Sequence, residues 1–429
     1  MKTVIDDLKL KISQNPKIAA IECRILEKLS ADLPIFKHQH IKVLWYKERL
    51  DKVLQGNYEI VSPVNVEFVP SLDCNLRCPP CTYSMWKAET IADQGKRKMT
   101  YENMVILLDK IETAGVKGVT VTGGGEPLAN PYTIQGLEYA ATKQFETGLF
   151  TNGCLLNPQK IERLARLNLS FLRISFNSGE CSNYLKFHGI NNPLVFEKVK
   201  KNIILLGKAL NDSKIFYGLA VIVNEVNVNY MASIAEFVRD IYNTQKNFKL
   251  DYITYRPVFN YGQISPDLNR QIRPDVAQKA LENFETVQEI LNGLPVLTII
   301  ADDYFISAGK STKILERGYD TCIGHSWGGS IAYDGGVYLC SERDGNHNYL
   351  MGNLLKSSLA EIWKSEQRAN VIKNIKGCPP ACKIHRTNLL LHSLTKDATL
   401  NNSEAKELQS FLDVIRQAGE PEKLSFLSW

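Results

Sequence analysis

The sequence contains no stretch of 18 or more uninterrupted apolar residues, the approximate length that a membrane-spanning helix requires. Its N-terminal segment, MKTVIDDLKLKISQ, carries charges throughout and has no apolar core of the kind found in signal peptides. Charge of one sign is not in large excess either, since 51 Lys and Arg face 46 Asp and Glu. We therefore expect a cytoplasmic protein with no membrane partner. Nucleic acid is disfavoured as a partner, because its binders usually show a concentrated basic stripe.

Internal repeats and low-complexity tracts are also lacking. The composition, with 44% hydrophobic and 23% charged residues, excludes a disordered chain. Ten cysteines are present, and in the reducing cytoplasm they are not expected to form a disulfide framework. Clustered cysteines in such a compartment indicate metal or redox chemistry.

From residue 64 to about residue 260, short β-branched runs alternate with helical patterns. The predicted strands are 64–72, 116–123, 147–152, 169–177, 214–224 and 251–258. Strands that alternate with helices of this length are typical of βαβ units and a parallel sheet. Six units are too few for a closed eight-stranded barrel, so the pattern predicts an α/β fold with a partial, open (β/α)6 barrel.

The texture of the sequence changes outside this region and gives four expected domains. Residues 1–60 have a helical pattern and are expected to form an N-terminal extension, and the barrel is expected over 61–300. Residues 301–392 are rich in Gly, Tyr and Cys and contain a hairpin signal at Asp334-Gly335, which indicates a smaller domain. The tail, 393–429, is predicted to be helical at first.

Three cysteines follow the first predicted strand in the segment DCNLRCPPC, with the spacing Cys-x3-Cys-x2-Cys. Cys74, Cys78 and Cys81 can bind three irons of a 4Fe–4S cluster and leave the fourth iron open for another ligand. Zinc is the alternative metal. It prefers four tetrahedral ligands, commonly from paired elements, and a three-cysteine loop fits that preference poorly.

This motif resembles that of the radical S-adenosylmethionine (SAM) enzymes, which fold as partial (β/α)6 barrels. The resemblance implies that the open iron binds SAM, and that reductive cleavage of SAM gives a 5′-deoxyadenosyl radical that abstracts a substrate hydrogen atom. One departure is visible, because the family usually has an aromatic residue where this sequence has Pro80. Tyr83 or Trp86 is expected to take over its contact with adenine.

The second strand ends in VTVTGGGEP, and a glycine run alone indicates no more than a tight turn. The run also lacks the spacing of a dinucleotide loop and the Lys-Ser/Thr of a phosphate loop. It resembles the Gly-Gly-Glu-Pro motif of the radical SAM family. The resemblance implies that Gly124, Gly125 and Glu126 contact the methionine ammonium of SAM.

Residues at later strand ends complete the SAM site that the resemblance implies. They are Asn152, Ser175, Asn177, Val223 and Arg256. Val223 is expected to flank adenine, and Arg256 to pair with the methionine carboxylate through a charge-assisted bond. A turn cap or a structural role is the alternative for the Asn and Ser residues, which are common turn formers.

A second set of cysteines lies in the smaller domain, at Cys322, Cys340, Cys378 and Cys382. Four cysteines can bind one complete 4Fe–4S cluster, and they also match a zinc site. The run DGGVYLC and the closing cysteine pair resemble the SPASM and twitch extensions of radical SAM enzymes. The full SPASM pattern has seven cysteines, so the resemblance implies the shorter form with one auxiliary 4Fe–4S cluster.

Three cysteines remain. Cys23 is expected to be a packed core thiol and Cys154 a structural one. Cys181 follows the fourth strand in a predicted loop, NSGECSNYLKFHG. A thiol there could donate a hydrogen atom to a substrate radical, as in radical SAM epimerases, and an ordinary loop cysteine is the alternative.

Together these features predict a radical SAM oxidoreductase or other C–H-modifying enzyme of biosynthesis. We expect oxidation, epimerisation or rearrangement of a small polar substrate such as a sugar, aminocyclitol or nucleotide derivative. A small substrate is favoured because residues 1–60 show almost no strand signal for the leader-binding module that peptide-modifying members often carry. The alternative is modification of a ribosomally made peptide or a protein side chain with a separate recognition partner. The family resemblance also implies an external electron donor such as flavodoxin or ferredoxin.

Two hypotheses from other classes stay open. A non-catalytic iron–sulfur electron-transfer protein does not need an open iron or the Gly-Gly-Glu-Pro strand end. A zinc-dependent binding module does not need a barrel of this size.

Overall fold

The fold is built on a ten-stranded β-sheet with helices packed against it. The computed structural model describes residues 9–30, 42–55, 57, 63–81, 97–258, 272–301, 305, 319, 321–375, 382, 384–396 and 402–417. Within these residues the strand order is β10-β9-β8-β1-β2-β3-β4-β5-β6-β7. The strands are β1 (Asn65–Phe68), β2 (Gly118–Val121), β3 (Glu146–Thr151), β4 (Phe171–Ser175), β5 (Phe216–Val223), β6 (Tyr252–Pro257), β7 (Leu297–Ile300), β8 (Gly328–Ile331), β9 (Gly336–Tyr338) and β10 (Leu350–Asn353).

Thirteen α-helices are described in the same parts of the chain. They are α1 (Pro16–Ser30), α2 (Lys47–Leu54), α3 (Tyr101–Thr113), α4 (Thr133–Ala140), α5 (Pro158–Ala165), α6 (Cys181–His188), α7 (Pro193–Ala209), α8 (Met231–Thr244), α9 (Pro274–Ile290), α10 (Leu359–Trp363), α11 (Glu366–Lys373), α12 (His385–Lys396) and α13 (Asn402–Gln417). Neighbouring strands from β1 to β7 are parallel and are connected through helices. The predicted α/β class and the partial (β/α)6 barrel are confirmed.

Helix α3 shows how local sequence sets these elements. The side chain of Thr100 caps the helix by accepting a hydrogen bond from the backbone N–H of Asn103 at 3.2 Å. The apolar side chains recur at helical spacing, so one face of α3 is buried against the sheet. The buried residues are Met104, Leu107, Leu108 and Ile111. The chain leaves the helix at Gly115, which has a φ of 72°.

One helix near the predicted site corrects the sequence analysis. The loop predicted around Cys181 is the two-turn helix α6. The carboxylate of Glu180 caps its first turn by accepting from the N–H of Ser182 at 3.1 Å and of Asn183 at 2.7 Å. Gly189 ends the helix in the left-handed conformation, with a φ of 62°. Cys181 is therefore a helix residue.

The segment after the barrel returns to the first strand. Strand β8 pairs in parallel with β1, so that Val66 lies opposite Gly329. Strands β9 and β10 continue the sheet as antiparallel neighbours. The turn predicted at Asp334-Gly335 is present between β8 and β9, and Gly335 has a φ of 82°. The cysteine-rich segment thus extends the barrel sheet.

The helices near the two ends of the chain pack together. Side chains of α1, α2, α12 and α13 form one cluster of buried apolar residues with Val64, Ile323 and Trp327. Lys47 and Asp413 form an exposed ion pair across this region, with Nζ and Oδ1 3.0 Å apart. No helix within the described ranges is long and apolar enough to cross a membrane.

Candidate active site

A cavity of about 260 Å³ opens at the carboxyl ends of the barrel strands. In parallel α/β folds, loops at this edge build the active sites. The lining includes most of the site residues that the sequence predicted: Cys74, Cys78, Cys81, Gly125, Glu126, Asn152, Ser175, Asn177 and Arg256. Five segments, separated by up to about 180 residues in the chain, therefore meet in one place.

Three predicted residues are not among the described lining residues of this cavity. Gly124 is buried behind it, while its neighbours Gly123 and Gly125 line it. Val223 is fully buried in the core, and the adjacent Ile222 lines the cavity instead, because side chains alternate along β5. Val223 is therefore not one of the side chains that the structure places at the cavity. Cys181 packs, partly buried, against the barrel core, so its hydrogen-donor role stays a prediction without support from its position.

The cysteine loop contributes Cys74, Cys78 and Cys81 to the cavity lining. The N–H of Cys81 donates to the carbonyl oxygen of Cys78 at 3.1 Å, which forms a tight turn. Burial, followed by the nearby Cys81 and Cys74, raises the pKa of the Cys78 thiol. A positively charged group is needed to hold three thiolates together here. Tyr83 and Trp86, expected to replace the aromatic contact missing at Pro80, lie outside the described residues.

The glycine run packs directly on the cysteine loop. The N–H of Gly125 donates to the carbonyl oxygen of Ser71 at 3.0 Å, and the N–H of Glu126 donates to that of Asp73 at 2.8 Å. A Cβ atom at Gly125 would lie 2.2 Å from the Asp73 carbonyl oxygen, which leaves no room for any other residue. The two motifs are thus joined backbone to backbone, immediately before Cys74.

Glu126 is buried and its carboxylate accepts three hydrogen bonds. Oε1 accepts from Thr151 Oγ1 at 2.6 Å and from the N–H of Leu128 at 3.1 Å, and Oε2 accepts from the N–H of Asn152 at 2.7 Å. A carboxylate has about four acceptor positions, so these bonds leave one on Oε2. Burial raises the pKa of Glu126 despite the hydrogen bonds. A cation at Oε2 would stabilise the ionised form.

Asn152 caps a turn and also lies in the cavity lining. Its Oδ1 accepts from the N–H of Cys154 at 3.0 Å, which caps the turn after β3. Its Nδ2 donates to Asn75 Oδ1 at 3.0 Å and lies 3.9 Å from Cys74 Sγ. Asn152 therefore links the end of β3 to the cysteine loop while it lines the cavity.

His188, which the sequence analysis did not select, contacts the cysteine loop. Its Nδ1 lies 3.1 Å from Cys78 Sγ, and its Nε2 lies 3.4 Å from Nδ2 of Asn177. Burial lowers the pKa of His188 to about 3, so the ring is neutral. The helix stop at Gly189 was the available signal, because it makes His188 the last residue of a short helix.

The barrel interior carries positive charge next to the cavity. Arg256 lines the cavity on β6, and Arg173 lies on β4 with its guanidinium 3.6 Å from the ring centre of Phe150. Burial, partly opposed by Tyr252 and reinforced by Arg256, lowers the pKa of Arg173 to about 10. Arg173 and Phe150 were not predicted as site residues. Two cations in this position favour anionic groups in the cavity.

The second cysteine set is partly described. Cys378 lies outside the described residues, and Cys382 is partly exposed. Cys322 is buried, and Asn388 of α12 donates from Nδ2 to its Sγ at 3.3 Å. Cys340 lines a small cavity of about 40 Å³ together with His325, whose buried Nε2 has no hydrogen-bond partner among the described residues. A buried polar nitrogen beside a cysteine fits a site that holds a further group.

Comparison with known families agrees with this geometry. Residues 68–238 match the radical SAM superfamily, and residues 322–384 match SPASM, an iron–sulfur cluster-binding domain. The chain belongs to the radical SAM superfamily and carries a C-terminal SPASM domain. Radical SAM domains bind a 4Fe–4S cluster with SAM, and SPASM domains bind auxiliary iron–sulfur clusters.

The proteins similar to this chain include enzymes named for different substrates. The chain is 22% identical to the AdoMet-dependent heme synthase of Methanosarcina barkeri, over 68% of this chain and 80% of that protein. It is 19% identical to the PqqA peptide cyclase of Granulibacter bethesdensis, over 72% and 76%. Streptococcus suis SuiB bound to S-adenosylmethionine superposes with a TM-score of 0.57 at 14% identity, over 77% of this chain and 72% of that structure. This last likeness shows the shared fold.

Proposed function

We propose that this radical SAM enzyme modifies a C–H bond of a small polar substrate by oxidation, epimerisation or rearrangement. One observation carries the proposal. Three thiols, the Glu126 carboxylate and the Arg256 guanidinium line a single cavity at the carboxyl edge of the barrel. SAM presents an ammonium and a carboxylate on its methionine part, and these match the charges of Glu126 and Arg256.

The residues that hold the cofactors follow from this match. Cys74, Cys78 and Cys81 bind three irons of the 4Fe–4S cluster. The free acceptor position on Glu126 takes the SAM ammonium, and Arg256 pairs with the SAM carboxylate. Ile222 on β5 replaces Val223 as the apolar contact for adenine. In the SPASM domain, Cys322, Cys340, Cys378 and Cys382 bind one auxiliary 4Fe–4S cluster, as their number predicts.

When bound, the cluster and SAM supply the radical that removes a hydrogen atom from the substrate. The chain itself supplies a shielded and oriented site. Phe150, Phe187 and Pro257 border the cavity with apolar surface, which limits the access of water. Thr122 and Ser175 offer hydroxyl groups in the same lining, and these hydrogen-bond the polar groups of a sugar-like substrate. A flavodoxin- or ferredoxin-type protein delivers the electron.

A peptide is the second candidate substrate. It is supported by the similarity to PqqA peptide cyclase and by the fold shared with SuiB, which has been crystallised with its precursor peptide SuiA. The similarity to a heme synthase, over a comparable share of the chain, supports a small molecule instead. The hydroxyl groups of Thr122 and Ser175 in the cavity lining favour the small polar molecule. Deuterium transfer from each candidate substrate distinguishes the two.

The test is anaerobic incubation of the reconstituted, dithionite-reduced protein with SAM, scored for 5′-deoxyadenosine. Deuterated sugars, aminocyclitols, nucleotide derivatives and peptides are then added separately, and deuterium in the 5′-deoxyadenosine identifies the substrate class. Transfer from a small molecule supports the proposal, and transfer from a peptide alone supports the alternative. A protein with full iron content that does not cleave SAM, either alone or with any of these substrates, would contradict the enzymatic proposal.

A further inference from the structure

The contact between His188 and the cysteine loop is fixed by backbone geometry as well as by side chains. The N–H of Arg77 donates to the carbonyl oxygen of His188 at 3.1 Å. At the next residue, Gly189, a Cβ atom would lie 2.4 Å from the carbonyl oxygen of Arg77. The end of α6 therefore rests directly on the loop, and His188 is 2% exposed. Its ring has little freedom to move away from Cys78.

The orientation of the Asn177 amide is set by its neighbours. Its Oδ1 accepts a hydrogen bond from the N–H of Ile222 at 2.8 Å. If the amide were flipped, its NH2 group would face this N–H, and two donors cannot form a hydrogen bond. The backbone of Asn177 is also held, because its carbonyl oxygen accepts from Nδ2 of Asn227 at 2.8 Å. The amide nitrogen of Asn177 thus faces Nε2 of His188 at 3.4 Å.

This orientation determines which ring nitrogen of His188 carries the proton. The Nδ2 group of Asn177 can only donate, so Nε2 of His188 must accept. A neutral imidazole that accepts at Nε2 carries its hydrogen on Nδ1. Nδ1 lies 3.1 Å from Cys78 Sγ, so its N–H points at the sulfur. Ile222, Asn177, His188 and Cys78 form one directed hydrogen-bond chain.

We propose that His188 is a positioning residue that donates a hydrogen bond from Nδ1 to the Cys78 thiolate and thereby raises the reduction potential of the SAM-binding cluster. A hydrogen bond to a ligand sulfur stabilises the reduced cluster, which carries one more negative charge. The bond also fixes the direction of the Cys78 sulfur. The inference rests on the ligands proposed above and is independent of the substrate.

The test compares two variants of the reconstituted holoenzyme. His188→Phe keeps a ring but has no donor, whereas His188→Asn places an amide N–H near the position of Nδ1. The potential is measured by an EPR-monitored redox titration of the signal that changes when SAM is added, which separates this cluster from the auxiliary one. Iron and sulfide are determined on every sample.

We expect His188→Phe to shift this potential to a more negative value, and His188→Asn to restore most of the difference. The auxiliary signal should keep its potential in both variants. An unchanged potential in His188→Phe, with its iron content intact, would overturn the proposal. If that variant does not fold, His188→Leu replaces it and the same comparison decides. Full iron and an unchanged SAM-responsive signal in Cys78→Ala would instead overturn the ligand assignment, which is a separate failure.

Discussion

Oε2 of Glu126 accepts a hydrogen bond from the backbone N–H of Asn152 at 2.7 Å. This bond joins the loop after β2 to the end of β3 in the lining of the cavity. It also holds the carboxylate so that the remaining acceptor position of Oε2 is available to a ligand. The carboxylate of Glu126 is therefore buried even without a bound cation, and this burial raises the pKa of Glu126.

Replacing Glu126 by Gln should weaken SAM binding about tenfold to hundredfold, since a charge-assisted hydrogen bond contributes about 1.5–3 kcal/mol. SAM binds the ionised carboxylate, and the raised pKa means that protonation begins at a higher pH than for an ordinary glutamate. In the native protein SAM affinity should fall as the pH falls through that pKa, with Lys160 nearby moderating the shift. Calorimetric titration of the reconstituted protein measures both effects.

The exposed Glu138, which pairs with Arg163, provides the matched control for that change. Glu138→Gln should leave SAM affinity and its pH dependence unaltered, because surface pairs contribute little. Equal affinity in Glu126→Gln and the native protein would show that the ammonium binds elsewhere.

Replacing Gly125 by Ala should prevent normal assembly of the cysteine loop. The new Cβ atom would lie 2.5 Å from the carbonyl carbon of Leu72 and still closer to Asp73, and both are backbone atoms of the loop. We expect reduced iron content and a loss of about 1–3 kcal/mol in unfolding free energy. Gly328→Ala is the milder comparison for stability, since its nearest contact is 3.3 Å away. Because Gly328 lines the cavity beside Cys340, iron is compared only for the SAM-responsive cluster. The idea fails if both variants retain equal iron and stability.

Replacing Cys78 by Ala should remove about four irons per chain and abolish formation of 5′-deoxyadenosine. Cys181→Ala is the matched control, because Cys181 lies in α6 and packs against the core. It should keep both iron and SAM cleavage. If Cys181 does donate a hydrogen atom to a substrate radical, its variant should cleave SAM but release an altered product, which mass spectrometry would detect.

Replacing Cys340 by Ala tests the metal of the SPASM domain. We expect about four fewer irons per chain, with the SAM-responsive EPR signal of the first cluster retained. The measurement is elemental analysis for iron and zinc before and after anaerobic reconstitution. Stoichiometric zinc at this site, lost in Cys340→Ala, would contradict the iron–sulfur assignment.

In the helices near the two chain ends, whose buried side chains form one apolar cluster, substitution of a buried residue should lower the unfolding free energy much more than substitution of an exposed one. Leu412 is fully buried in that cluster, so Leu412→Ala should cost about 2–5 kcal/mol of unfolding free energy. Lys47→Ala removes only the exposed ion pair with Asp413 and should cost less than about 1 kcal/mol. Denaturant unfolding measures both. Similar costs for the two variants would mean that these helices are held by charge.

Local motifs were the part of the site that the sequence could predict. The cysteine spacing and the glycine run are contiguous, and each follows a recognisable strand, so their meeting at one sheet edge follows from parallel topology. The sequence did not distinguish Ile222 from Val223 as the cavity residue, because β5 is apolar at almost every position and a strand without alternation does not reveal which face is inward. Ile222 and Val223 are equally hydrophobic in the sequence.

The sequence could not predict the contacts between segments that lie far apart in the chain. Helix α6 has only two turns and begins in a segment rich in Ser, Asn and Gly, which reads as a loop. The contact of His188 with Cys78 depends on how that helix ends against the loop, and a lone histidine carries no such information. The pairing of β8 with β1 likewise joins residues more than 250 positions apart.

The pairing of β8 with β1 places β1 between two regions, the small cavity beside Cys340 and the cysteine loop that contains Cys74. Asn65 and Glu67 border the small cavity beside Cys340, and the same strand runs on toward Cys74. Cys74 lies seven positions after Glu67, and an extended chain over seven positions spans at most about 25 Å. Glu67 in the wall of one region and Cys74 in the other are therefore connected within that distance by β1 and the short loop that follows it.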